Sequence, residues 1–144
     1  MYTIDASVWI NGFDQREKGY EHSRALLKRL HKENIPISIP TLALAEVAGT
    51  ISRTRQDAAK AQSFTTALSN LPNISLISLD SSLAEQAAGL AARHGLRGAD
   101  SVYAAVAEKY DCILISLDNE HLTRLTGVVT VQRPEDVLKR TAES

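Results

Sequence analysis

The stretch from Leu96 to Asp118, LRGADSVYAAVAEKYDCILISLD, constrains the fold more than any other part of the chain. Gly98-Ala99-Asp100 opens a helix in which Val102, Ala105, Val106 and Tyr110 recur at helical spacing, and Ile113 to Leu117 follows as an apolar strand closed by an aspartate. Asp100 is thereby set at a helix start and Asp118 just past a strand end. In an open parallel α/β sheet, ligands collect at the carboxyl edge of the strands, which is where both acids project on this reading.

The remaining chain repeats the alternation. Tyr2 to Ile4 is a short β-prone run ending at Asp5, and Ala6 to Ile10 reads as a short helix. Glu17 to Lys32 is an amphipathic surface helix with Tyr20, Ala25, Leu26, Leu27 and Leu30 on its apolar side. Ile35 to Ile39 is a strand stopped by Pro40, and Thr41 is the expected N-cap of a helix from Leu42 to about Thr54. A helical hairpin continues through Ala58 to Leu71. Ile74 to Leu79 is the next strand, followed by a helix from Ser81 to His94 with a capping-box pattern at Ser82-x-x-Glu85 and a stop at Gly95. After Asp118, Asn119 to Leu125 reads as a short helix, Val128 to Val131 as a last strand and Pro134 to Lys139 as a terminal helix. Five strands interleaved with helices predict an α/β fold with a parallel sheet, as a single domain over residues 1–144.

Composition narrows the chemistry. Net charge is −1, from 16 basic and 17 acidic residues, so the overall field makes no case for nucleic-acid binding, although a local basic lip is compatible with it. The single Cys112 sits inside an apolar strand and reads as a small buried hydrophobe, which fits a reducing compartment. No signal-peptide pattern opens the chain, and no run approaches the roughly 20 apolar residues of a membrane span; a cytoplasmic location without membrane contact is expected.

Four acids stand out by position: Asp5 and Asp118 at strand ends, Asp100 at a helix start, and Glu46 as the only charge in Leu-Ala-Leu-Ala-Glu-Val-Ala-Gly. Taken singly, the aspartates also fit helix capping. The pentapeptide Leu-Ile-Ser-Leu-Asp occurs twice, ending at Asp80 and at Asp118; Asp80 leads into a long, well-capped helix and is assigned to capping. As a set, carboxylates gathered in one cleft repel one another, and a hard divalent cation such as Mg²⁺ or Mn²⁺ relieves that repulsion and activates water at a phosphate ester. No His pair or Cys cluster has zinc-ligand spacing; among His22, His31, His94 and His121, only His121 lies near an acid, and a surface role is expected for it. Nucleophile elbows and Gly-rich phosphate loops are absent from the sequence.

Ile4-Asp5-Ala6-Ser7, Ala45-Glu46-Val47, Gly98-Ala99-Asp100-Ser-Val-Tyr-Ala-Ala and Ile115-Ser116-Leu117-Asp118 together resemble, in order and spacing, the motifs of PIN-domain ribonucleases, and within these the VapC toxins of toxin-antitoxin modules. The resemblance runs from Tyr2 to about Pro134. It implies a PIN-like three-layer fold with a five-stranded parallel sheet flanked by helices, the first strand central. It also implies that Asp5, Asp100 and Asp118 bind Mg²⁺ or Mn²⁺, that Glu46 completes the catalytic acids, and that Ser7 and Ser116 support the carboxylates, with a weaker supporting role for Asn119. The implied reaction is hydrolysis of RNA phosphodiesters. The implied partners are an RNA substrate, a cognate antitoxin protein whose arginine suits the acidic groove, and a second copy in a homodimer. Arg53, Arg55, Lys60, Arg93 and Arg97 are candidates for the RNA backbone, Arg97 being nearest the acids in sequence. A non-catalytic PIN-like domain binding RNA or protein, a small-phosphoester hydrolase and a stand-alone processing nuclease are the competing readings.

Overall fold

The computed structural model describes residues 1–142. In chain order the elements are β1 (Tyr2–Ile4), α1 (Ala6–Phe13), α2 (Tyr20–Lys32), β2 (Ile37–Pro40), α3 (Leu42–Arg55), α4 (Ala58–Ser69), β3 (Ile74–Ile77), α5 (Ser81–His94), α6 (Gly98–Lys109), β4 (Ile113–Ile115), α7 (Asn119–Arg124), β5 (Val131–Gln132) and α8 (Pro134–Ala142). The strands form one sheet in the order β3-β2-β1-β4-β5, every neighbouring pair parallel. β1 is therefore central, flanked by β2 with Tyr2 opposite Ile37 and by β4 with Ile4 opposite Ile115.

This arrangement follows from where the apolar residues fall. Ile4, Ile39, Leu114 and Ile115 are fully buried, each stabilising the fold by about 1.5–3 kcal/mol relative to exposure. Helix α6 is buried from Ser101 through Ala107 without interruption, as expected for a helix enclosed on all sides: it crosses β1, β2 and β4 while α5 packs outside it. Its alanines let it approach the sheet closely. Elsewhere α1 packs against α2 and α3, α3 pairs with α4, and α8 closes over α2.

Some local expectations differ from the structure. Tyr110, just past the end of α6, is 37% exposed, whereas Tyr103, two turns earlier, is fully buried. Thr41 has helical φ and ψ and makes no side-chain cap, because its N–H continues the sheet by bonding the Ile77 carbonyl at 2.9 Å. Helix α5 is capped by Asp80, whose carboxylate accepts from the Leu83 N–H at 2.8 Å; Ser82 lies inside the helix. Gly95 ends that helix at φ +64°, a left-handed conformation that favours glycine. The last strand pairs at Val131–Gln132, later than Val128 to Val131.

Candidate active site

Each acid reaches the carboxyl edge of the sheet by its own route. Asp5 continues β1, its N–H bonding the Ile115 carbonyl at 3.0 Å. It occupies the N-cap position of α1 yet caps nothing with its side chain. Its Oδ2 instead accepts from Ser7 Oγ and from Ser116 Oγ, both at 2.9 Å. The same two hydroxyls accept backbone N–H groups from the far strand end, Leu117 N–H on Ser7 at 3.3 Å and Asp118 N–H on Ser116 at 3.0 Å. Ser7 and Ser116 thus tie the ends of β1 and β4 together around one carboxylate.

Asp118 caps α7, accepting from the Glu120 N–H at 2.9 Å. Its capping role and its place at the site coexist. Asp100 lies in the first turn of α6, and Glu46 reaches in from α3 to accept the Tyr103 hydroxyl at 2.7 Å.

His121 sits among them and corrects the surface role expected for it: it is fully buried on the inner side of α7. Nδ1 lies 3.0 Å from Ser116 Oγ and 3.6 Å from Asp5 Oδ2; Nε2 lies 3.3 Å from the Asp100 carbonyl oxygen and 3.5 Å from Asp100 Oδ1. Ser116 has one proton and gives it to Asp5, so its oxygen accepts from Nδ1, while Nε2 faces two acceptors. With Ser116 donating to Asp5, this ring of acceptors around both nitrogens favours the imidazolium. Burial opposes that charge, but contacts with Asp5 and Asp100 outweigh it and hold the imidazole above its ordinary range. Asp5 responds in kind. Burial pushes it up, yet His121, Ser7 and Ser116 hold it below the usual carboxylate range.

The other acids shift upward. Burial raises Asp100, His121 opposes the rise, and repulsion from Asp118 and Asp5 adds to it. Burial likewise raises Glu46; the Tyr103 hydroxyl pulls against this, and Asp5 and Asp100 reinforce it. Tyr103 itself is pushed up by burial and by the adjacent Glu46 carboxylate, so it stays a donor.

One donor atom from each of Asp100, Asp118 and His121 lies within 4.8 Å of the others. Carboxylate oxygens whose mutual repulsion raises Asp100 are the donor chemistry that a hard divalent cation satisfies, so the residues present fit Mg²⁺ or Mn²⁺.

A PIN domain family model matches residues 2–127, across all of these acids. The chain belongs to the PIN domain family. Solved structures share the fold at low identity. A toxin-antitoxin complex from Klebsiella pneumoniae is 20% identical with a TM-score of 0.70, over 93% of this chain and 98% of that one. VapC20 of Mycobacterium tuberculosis, a toxin that cleaves the sarcin-ricin loop, is 19% identical at TM-score 0.72, over 92% and 99%. VapBC2 from Rickettsia felis, bound to a promoter DNA fragment, is 16% identical at TM-score 0.68, over 92% and 97%. No curated protein matches the chain by sequence.

In this PIN domain the sequence-derived residues separate into two groups. Asp5, Glu46, Asp100, Asp118, Ser7 and Ser116 are joined directly or through His121 and Tyr103. Arg97, at the N-cap position of α6, is exposed; its positive charge draws the Asp100 carboxyl downward, by less than burial and the neighbouring acids raise it. Arg55 is committed elsewhere. It bonds Asp14 at 3.0 Å and stacks over Phe13, where Lys60 also lies. The Asn119 side-chain oxygen accepts from Arg133. Two residues of the network escaped the sequence reading, His121 and Tyr103. The signal for His121 is its place one turn before Leu125, the apolar residue that closes α7 and is fully buried with it.

Among the described residues, no helix is long and apolar enough to cross a membrane.

Proposed function

We propose that this PIN domain is a Mg²⁺- or Mn²⁺-dependent endoribonuclease, the toxin component of a toxin-antitoxin pair, acting in the cytoplasm. The observation that carries the reading is the convergence of four carboxylates, from β1, α3, α6 and the end of β4, at one sheet edge in a chain of this family. Solved relatives of the same fold include a toxin-antitoxin complex and a toxin that cleaves the sarcin-ricin loop. Residues 1–144 act as one catalytic unit on this reading. A homodimer and an antitoxin partner are the expected assemblies.

Asp5, Asp100 and Asp118 would hold the metal, which when bound activates water and neutralises charge on the phosphate. Asp5 suits this as the acid kept ionised by His121, Ser7 and Ser116. Glu46 has the higher proton affinity, so it is the group to take the proton of the attacking water, with Tyr103 aiming its carboxylate. Water adds to phosphorus, one P–O ester bond breaks, and the RNA is left with one phosphate end and one hydroxyl end. His121 fixes the spacing of Asp5 and Asp100 without touching the RNA.

The test is incubation of the purified chain, free of any partner, with total RNA in Mg²⁺ or Mn²⁺ against EDTA, wild type against Asp5→Asn. Discrete fragments requiring both metal and Asp5 are expected. Absence of cleavage from folded protein under every metal favours a binding domain or small-phosphoester hydrolase instead.

A further inference from the structure

Beside the acids, across Ser7 and Leu117, lies a cleft of about 710 Å³, inside the roughly 300–1,000 Å³ range of small-ligand sites. Ser7 lines it and also bonds Asp5; Leu117 lines it and precedes Asp118. An occupant of the cleft therefore sits next to the reacting phosphate on the ribonuclease reading, on which this inference rests.

The cleft is built in advance. Asn11, 2% exposed, accepts from Ser23 Oγ at 2.7 Å and donates to the Lys18 carbonyl at 2.9 Å and to Glu17 Oε2 at 3.1 Å. These bonds, with Gly19 at φ +84°, fix the α1–α2 turn as one wall. On the opposite wall Arg133 donates to Asn119, the neighbour of Asp118, and still has free donors in its fork.

The lining chemistry selects an occupant. Ile10, Leu117 and Pro134 give an apolar floor, and His22 presents an imidazole ring at the rim. Glu17 and Glu135 line it together with Lys18 and Arg133, and His22 Nδ1 lies 3.7 Å from Glu135 Oε2, so acidic and basic side chains balance and a neutral heteroaromatic ring carrying both donors and acceptors can use groups of both signs. A base fits this description, stacked on the floor and the His22 ring. Guanine satisfies the rim most fully. Its O6 and N7 match the guanidinium fork, and its N1–H and N2 amino group match a carboxylate.

We propose that this cleft receives a guanine of the RNA next to the cleaved phosphodiester, read by Arg133 and Glu135. Sequence preference then comes from this cleft and cleavage from the acids beside it.

The experiment measures binding, in EDTA, of fluorescent single-stranded adenosine oligonucleotides with or without one guanosine, alongside cleavage mapping on random-sequence RNA in Mn²⁺. Wild type should bind the guanosine strand roughly tenfold tighter, and cuts should fall at a fixed distance from a guanosine. Glu135→Gln and Arg133→Ala should lose the preference. Arg133→Lys, which keeps the charge but not the fork, should retain general RNA binding and lose it too; circular dichroism melting checks that each variant folds. Equal binding of both strands by wild type, or a preference that survives Arg133→Lys, overturns the proposal. So does insensitivity of RNA binding to Arg133→Ala when the same change releases a co-expressed protein partner. Guanosine-dependent binding through Arg133 without RNA cleavage under any metal upholds the cleft and defeats the ribonuclease reading instead.

Discussion

The Tyr103 hydroxyl donates to Glu46 Oε1 at 2.7 Å, joining a fully buried residue of α6 to the one acid that α3 contributes. A hydrogen bond to a carboxylate is worth about 1.5–3 kcal/mol, enough to set its direction. Tyr103→Phe should lower kcat for RNA cleavage roughly tenfold on that scale while leaving KM unchanged. The donor holds the Glu46 carboxyl down against burial, so its loss lets the carboxyl rise. The acid limb of the kcat profile should then move to higher pH. A steady-state profile of both proteins, with Glu46→Gln and the double variant, measures the shift and the coupling.

The two identical pentapeptides provide an internal control. Asp118→Ala should abolish cleavage. Asp80→Ala should leave cleavage intact and cost about 1 kcal/mol of stability through the lost α5 cap. Denaturant titration and the total-RNA assay on both variants separate the roles.

Mg²⁺ or Mn²⁺ should raise the melting temperature, and EDTA should reverse the rise; saturation at a hundredfold excess over Kd corresponds to about 2.7 kcal/mol. Asp100→Asn should flatten this response. Without metal the same variant should melt at or above wild type, because burial, reinforced by repulsion from Asp118 and Asp5, raises the Asp100 carboxyl.

His121→Leu should be strongly destabilising, by about 3 kcal/mol, since it leaves the buried Asp5 carboxylate without its ionic partner. Chemical denaturation is the direct measurement. Asp5→Asn in the same background should recover part of the loss.

Asp14 sets an acid limb away from the site. The Arg16 guanidinium, with Arg55 adding to it, holds this carboxyl down to about 2. A carboxylate depressed in the folded state stabilises it above the ordinary value near 3.8, and that contribution disappears as pH falls through about 2. Asp14→Asn should therefore flatten the stability curve between those values, read by thermal melts across pH.

The acids were legible because each stands where a periodic pattern breaks: Asp5 and Asp118 end apolar strands, Asp100 opens a helix, and Glu46 interrupts an apolar one. The sheet order was not legible from local pattern, and it decides what the duplicated pentapeptide does. Leu76, on edge strand β3, is 38% exposed, whereas Leu114, one strand from the centre, is fully buried. His121 was hidden because Asn-Glu-His reads as polar surface until β4 and α6 close over it. The Ser82 capping box lost to Asp80 for a simpler reason. Both patterns offer a side-chain oxygen to the same helix start, and only the residue with extended backbone is placed to use it.

Asp5 meets Ser116 across 111 positions of chain. While those positions are being synthesised, the first acid has Ser7 beside it but neither the Ser116 hydroxyl nor the His121 ring, and Asp118 does not yet exist. On the ribonuclease reading, a nascent chain that stops short of Asp118 lacks the full set of acids. That set is completed only by the pairing of β4 with β1, so on the same reading activity waits for the last third of the chain.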